Sequence, residues 1–201
     1  MPRHTDTRDR LLTAGLDLIR AGSYAATSVD QICTAANVRK GSFYHFFASK
    51  AELGAACFDH GFCQAKDQLD RVFSPSAPGL QRIADFCAHL HAQQQELRER
   101  YGFVPGCPLF NVGGETCQRE AVLREAIHRI IRCYTQYLES AIRSGVGDGS
   151  IPPCDAPALA SLVFAHLEGV LTQARIYDDL TAMARARDGV FRLLSIPVPA
   201  Q

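Results

Sequence analysis

Thr27-Ser28-Val29-Asp30-Gln31-Ile32-Cys33-Thr34-Ala35-Ala36-Asn37-Val38-Arg39-Lys40-Gly41-Ser42-Phe43-Tyr44-His45-Phe46-Phe47-Ala48-Ser49-Lys50-Ala51-Glu52-Leu53 is the stretch that decides the fold. Its opening, Ser28-Val29-Asp30-Gln31, is a capping box: the serine hydroxyl takes a free backbone N–H and the glutamine reaches back to the serine's own. A short helix over about 28–35 then meets a turn at Ala36-Asn37-Val38. Asn37 is among the few non-glycine residues that tolerate the left-handed backbone such a turn needs. A second helix starts near Arg39, and Ile32, Val38, Phe43 and Phe47 pack the two together. That packing leaves Arg39, Lys40, Ser42, Tyr44 and His45 facing outward. A recognition helix reads DNA with the residues near its N-terminus, where peptide N–H groups also favour phosphate. An exposed Tyr44 beside Phe43, Phe46 and Phe47 is expensive on a solvated surface and sensible on one that meets phosphate. Ser49-Lys50-Ala51-Glu52 is a second capping box, and Lys50 in its first turn is placed for another phosphate. The plainer alternative is a solvated basic turn in an arbitrary helical bundle.

Outward from this segment the period stays helical. Leu11, Gly15, Leu18 and, in parallel, Leu12, Leu16, Ile19 trace stripes three and four residues apart, closed by Gly22. The helix opened by Ser49 runs to about Val72, before Ser74-Pro75-Ser76-Ala77-Pro78-Gly79 breaks the chain. Leu123, Ile127, Ile130, Tyr134, Leu138 and Ala141 form a longer stripe ending at Gly145. Gly147-Asp148-Gly149 has the composition of a hairpin turn, but the helical period on both sides makes it a helix–helix connection. Asp155 caps a helix carrying Leu159, Val163, Leu167, Val170 and Ala174. A last helix holds Leu180, Ala184 and the Val190–Leu194 cluster and stops before Pro197. No run alternates with period two for long enough to be a strand. The expected fold class is all-α, with about nine helices and the short ones first.

Composition narrows the function. The 201 residues are 47% hydrophobic and 21% charged, ordinary for a globular chain. The 21 Lys+Arg balance 21 Asp+Glu, which excludes a wholesale polybasic binder. A local patch survives that test: residues 1–53 hold seven basic and five acidic residues, the remainder 14 and 16. No stretch reaches the roughly 18 apolar residues of a membrane span. Met1-Pro2-Arg3-His4-Thr5-Asp6 lacks the apolar core of an export signal. Eight cysteines without such a signal argue for reduced thiols in a cytoplasmic protein. None of them forms a Cys-x-x-Cys pair, so a zinc ribbon or thioredoxin motif is out. Cys57-x-x-His60-x-x-Cys63 fans over about 120° of a helix, poor geometry for one ion. His89 and His91 point to different sides. Neither a metal nor a cofactor is expected.

Thr27-Ser28, Ile32, Ala35, Val38, Gly41, Phe43-Tyr44, Phe46-Phe47, Lys50 and Leu53 resemble the N-terminal signature of TetR-family transcriptional regulators, with Asn37 where the usual turn glycine stands. The resemblance implies an N-terminal helix-turn-helix DNA-binding head over 1–50 and a helical effector-binding and dimerisation bundle over 51–201. It implies a homodimer built mainly from the last two long helices, about 155–177 and 179–194, where Leu159, Val163, Leu167 and Leu171 make a stripe too wide to leave wet. Thr27 joins Arg39, Lys40, Ser42, Tyr44, His45 and Lys50 as the expected contacts to a double-stranded operator. Lys40 through Phe47, Tyr101-Gly102-Phe103, Gly106-Cys107-Pro108-Leu109, Asn111, Glu115 and Leu123-Arg124 further resemble the branch holding the N-ethylmaleimide-responsive and acrylate-responsive repressors. In that branch the Gly-Cys cysteine, here Cys107, is implicated in sensing electrophiles. Two departures are Pro108, where relatives carry leucine, and Arg175, about where the electrophile sensor has a lysine. A guanidinium is a far poorer nucleophile than an amine.

Cys107 has physical interest of its own. Pro108 suits the first position of a short helix running to about Cys117. Cys107 is then its N-cap, at the end of the helix dipole that favours a thiolate. The plainer alternative is an inert small hydrophobe. Cys33, Cys57, Cys63, Cys87 and Cys133 fall in helical stripes and read as core. Cys117 and Cys154 are candidate resolving partners. The resemblance places an effector pocket between residues 78 and 177, with Phe86, Leu90, Phe110, Tyr134 and Phe164 as lining and Glu168, Gln173 and Arg175 as polar anchors. The leading function is thus a small-molecule- or electrophile-responsive repressor and not an enzyme. The alternatives are an enzyme using Cys107 with a base such as His166, and a helical interaction module. No Gly-x-Ser-x-Gly, Gly-x-Gly-x-x-Gly or P-loop motif supports the enzyme.

Overall fold

The computed structural model describes residues 4–197. Met1-Pro2-Arg3, part of the stretch expected not to be an export signal, lie outside the described residues, as do 198–201. The described residues form ten helices and no strand. No helix among them is long and apolar enough to cross a membrane. By internal contacts the chain divides into two compact units, 1–65 with 108–130, and 66–107 with 131–201.

The first unit starts with α1 (His4–Ala21), which buries Leu11, Leu12, Leu16 and Ile19. Gly22 donates to Leu18 O at 3.0 Å, closing the helix as its sequence position suggests. In α2 (Val29–Ala35) both halves of the Ser28–Gln31 capping box form, at 3.1 and 2.7 Å. Asn37 is left-handed at φ 51°, and α3 (Lys40–Phe46) follows with Phe43 fully buried. Ile32 and Phe47 are buried with it, whereas Val38 is half-buried. The next helix, α4 (Lys50–Val72), ends at the expected residue, but its cap differs in detail. Ser49 Oγ accepts from Glu52 N, while Glu52 Oε2 reaches past Ser49 to Ala48 N at 2.8 Å. The unit also takes in α6 (Pro108–Thr116), where Glu115 Oε2 accepts from Ala25 N at 3.1 Å and pins the loop before α2.

The second unit contains α5 (Gly79–Tyr101), most of α7 (Ala121–Asp148) and α8 (Ala156–Tyr177), with Asp155 as the N-cap of α8. The helix expected last is two, α9 (Thr181–Ala184) and α10 (Ala186–Leu193). Arg185 breaks it: with φ −103° and ψ 2° its N–H bonds Ala182 O three residues back, a tightened turn that ends the α pattern. The last helix packs against α8 and α5. Its Gly189 has no room for a side chain against the His166 ring.

Two expectations need correction here. Of the stripe expected between protomers, Val163, Leu167 and Leu171 are buried within the chain itself, Leu171 packing with Val104, Ala174 and Met183, and Leu159 alone is half-buried, so most of that stripe is core. The face of α8 left outside carries Ala158, Leu162, Ala165, Gly169 and Ile176, with Leu162 57% and Ile176 69% exposed. Among the cysteines expected in the core, Cys33, Cys57 and Cys87 are buried, but Cys63 is exposed and Cys133 half-buried. Both lie on helix faces that nothing within their units covers fully.

Candidate nucleic-acid interface and sensor cysteine

The helix-turn-helix is held rigid from behind. Arg10, on α1, donates through Nε to Ala36 O at 2.9 Å and through Nη2 to Asn37 O, satisfying the two carbonyls of the left-handed turn. Lys50 Nζ donates to Tyr24 O and Thr27 O, both at 3.0 Å, and lies 4.3 Å from the centre of the Tyr24 ring. Thr27 is buried, its hydroxyl donating to Ser23 O at 2.8 Å. Thr27 and Lys50 therefore tie the α1–α2 loop to the start of α4 from inside the unit. The face they support carries Arg39, Lys40, Tyr44 and His45, all exposed, with Ser42 half-buried. Tyr44 is 54% exposed, its ring edge-on to Phe43 at 5.1 Å. Lys40 Nζ pairs with Asp30 at 2.8 Å across the exposed α2–α3 surface. Gly41 offers the same face a bare stretch of backbone, with nothing within 4 Å of where a Cβ would stand.

The second site is built around the loop 102–107. Gly102 (φ 80°) ends α5 in a left-handed cap, and Gly106 (φ 67°) makes a second left-handed turn just before Cys107. Gln94, buried on α5, clamps that turn at both ends of its amide: Oε1 accepts from Gly106 N at 3.0 Å and Nε2 donates to Gly106 O at 3.4 Å. Arg175 Nη1 donates to Pro105 O at 2.5 Å, and Asp178 Oδ1 accepts from Val104 N at 2.8 Å. Cys107 is half-buried beside Val104, Leu171, Ala174 and Met183. Its thiol hydrogen-bonds the carboxyl of Glu168, which is 5% exposed and whose Oε2 has no partner. Burial pushes Glu168 up to about 7, the Cys107 bond pulling the other way. Burial lifts the thiols of Cys57 and Cys87 to about 12, which leaves them poor nucleophiles.

Of the expected effector residues, Phe86, Tyr134 and Phe164 come together. Phe86 and Tyr134 lie 6.2 Å apart, and Tyr134 stacks on Phe164 at 5.9 Å. Phe73 extends the row, 5.0 Å from Phe86 and 5.1 Å from Tyr137. Phe110 is 39% exposed in the first unit, and Gln173 is exposed. His166, the base suggested for an enzyme reading, has its Nε2 buried without a partner, whereas the Cys107 thiol bonds Glu168. Sequence reasoning missed Gln94 and Arg10. Gln94 falls on the stripe Ile83, Cys87, Leu90, and a polar residue in an apolar stripe was the available signal. Arg10 sits in the polar first half of α1, just before Leu11, with nothing local to mark its partner.

Comparison with known proteins matches this geometry. Residues 11–57 fit the description bacterial regulatory proteins, tetR family, and residues 79–190 fit tetracyclin repressor-like, C-terminal domain. The transcriptional regulator AcuR of Cereibacter sphaeroides is 30% identical over 83% of this chain and 75% of its own length. The HTH-type transcriptional repressor NemR of Escherichia coli is 26% identical over 98% of this chain and 99% of its own. The crystal structure of reduced E. coli NemR superposes with a TM-score of 0.81 at 24% identity, covering 98% and 100% of the two chains. A regulatory protein TetR from Rhodobacter sphaeroides gives 0.81 at 27% identity, over 92% and 97%. With both halves matched and the helix-turn-helix in place, the chain belongs to the TetR family of bacterial regulatory proteins.

Proposed function

We propose that the protein is a cytoplasmic transcriptional repressor, not an enzyme, that holds a palindromic operator as a homodimer and lets it go when an effector modifies or occupies its helical body. The observation that carries the reading is the rigidly backed α3 face. Arg39, Lys40, Tyr44 and His45 stand exposed on a helix whose turn and flanking loop are fixed from inside by Arg10, Thr27 and Lys50. Gly41, which weakens a helix and packs against nothing here, suits a surface that another backbone approaches closely. Its relatives include a protein named as a repressor and another named as a regulator, which supports the same reading.

The dimer uses the outward face of α8, where Ala158, Leu162, Ala165, Gly169 and Ile176 form a small, apolar stripe. Leu162→Glu should turn a dimer in sedimentation into a monomer, and a wild-type monomer at micromolar concentration contradicts the assignment. The sensor is Cys107, on the geometry of its loop. A noncovalent effector is the second reading, favoured by the aromatic row Phe86–Tyr134–Phe164. DNA binding is tested by fluorescence anisotropy on a palindrome selected from random duplexes. Lys40→Ala should flatten the slope of log K against log salt by about 1 per protomer. An unchanged slope, or no palindrome recovered, overturns the reading.

A further inference from the structure

Glu168 is an odd residue to keep where it is. It lies on the stripe Phe164, Leu167, Leu171 that makes the core of its unit, it is 5% exposed, and Oε2 has no hydrogen-bond partner. A buried carboxylate without an ion pair or a full set of donors is costly, and such groups are kept for a purpose or relieved by a proton. The group it does engage is the thiol of Cys107, the half-buried residue in the loop that Gln94 and Arg175 hold from either side.

We infer that Glu168 is the built-in proton acceptor of Cys107: it takes the thiol proton as the sulfur adds to an electron-poor, uncharged alkene such as an α,β-unsaturated carbonyl. This rests on reading Cys107 as the sensor and names the second half of that site. The step balances without any further reactant. The S–H proton passes to the Glu168 carboxylate as the sulfur forms its bond to the β-carbon. The alkene's π pair moves to the α-carbon, and the proton on Glu168 is then delivered there, so S–H adds across C=C. The burial that makes the ionised carboxylate costly is what drives it to accept the proton, because the neutral acid is the form this environment prefers. An uncharged effector follows from the same environment, since a carboxylate at the sulfur repels an anionic one.

The adduct also removes the S–H that Glu168 accepts. The carboxylate is left buried with neither oxygen bonded to the cysteine, on the helix that packs against α9 and α10 and carries the outward dimer stripe. An interior so packed rearranges between discrete arrangements and does not deform smoothly, so losing this bond is a signal α8 can transmit.

The test is a timed reaction of the full-length protein with limiting N-ethylmaleimide at pH 7, read by peptide mass mapping. Exposed Cys154 serves as the internal reference. Glu168→Gln keeps the shape and a hydrogen-bond acceptor but cannot take a proton, so a merely structural Glu168 predicts an unchanged rate. The inference expects Cys107 to be labelled at least tenfold more slowly in Glu168→Gln, with Cys154 unaffected. Glu168→Asp, which keeps the carboxylate one methylene short, should fall between. Cys107 labelled at the wild-type rate or faster in Glu168→Gln overturns the role of Glu168 and leaves Cys107 as the sensor. Wild-type Cys107 no more reactive than buried Cys87 overturns the sensor reading, and this one with it.

Discussion

The chain makes two left-handed turns that matter, at Asn37 and at Gly106, and they are finished differently. Around Asn37, Arg10 takes up the carbonyls of Ala36 and Asn37, and the helix beyond presents exposed side chains. Around Gly106, Gln94 and Arg175 hold the backbone as firmly, but next to them a carboxyl oxygen is left buried and unbonded. The first turn is satisfied and rigid, which suits a part that must fit a fixed partner geometry. The second keeps an unsatisfied group in reserve, and that suits a part that must respond. A polar network fully bonded rigidifies; a buried group left unbonded is costly and acts as a reservoir of strain.

If the comparison holds, the largest effect on stability comes from Gln94→Leu. It leaves Gly106 N–H and C=O buried with no partner, at a cost of about 2 to 4 kcal/mol, visible as a lower urea midpoint with an unchanged m-value. A midpoint within experimental error of wild type means the second turn is not held as described.

Next is pH. Glu168 binds its proton more tightly folded than unfolded, its pKa raised from 4.5 to about 7. Between those values the native state holds more protons, so this residue's contribution to stability falls as pH rises from about 4.5 through 7. The full difference is about 3 kcal/mol. Glu168→Gln should therefore stabilise the protein at pH 8 while making little difference at pH 4.5. A variant destabilised at pH 8 contradicts the reading of a strained carboxylate.

Arg10→Ala should cost less, about 1 to 2 kcal/mol, because its partners lie near the surface where water can replace it. Its effect should concentrate in operator affinity and in faster amide exchange of Asn37 and Val38. The smallest stability change, and of opposite sign, is expected for Gly41→Ala: about half a kcal/mol of added helix stability together with weaker operator binding. Tighter binding shows that Gly41 is not on the DNA-facing side.

Most of the head was legible in the sequence because its determinants are local. The Ser28 capping box, the left-handed Asn37 and the alternation of Phe43 and Phe47 with Lys40 and Tyr44 are all set within a few residues. The longer-range parts were not. That Lys50 turns inward to Tyr24 O and Thr27 O depends on a loop 23 to 26 residues earlier. The α8 stripe Leu159, Val163, Leu167, Leu171 has the right period for an interface, but period shows only that a face is apolar, not which partner covers it; here α9 and α10 pack on α8, Leu171 meets Val104 and Met183, and Leu159 stays half-buried. Cys107 was visible through its neighbours Gly106 and Pro108, and Glu168 as a polar residue on an apolar face. Their hydrogen bond joins residues 61 positions apart, and no spacing encodes it.

In a sensor-repressor, chemistry at the second turn must reach the first. With the wild-type protein bound to a fluorescent operator, limiting N-ethylmaleimide should lower the anisotropy to that of free DNA in step with Cys107 modification. Cys107→Ser bound to the same operator should hold its anisotropy under identical treatment, and Cys87→Ser should respond as wild type does. Release from Cys107→Ser at the wild-type rate would contradict the account.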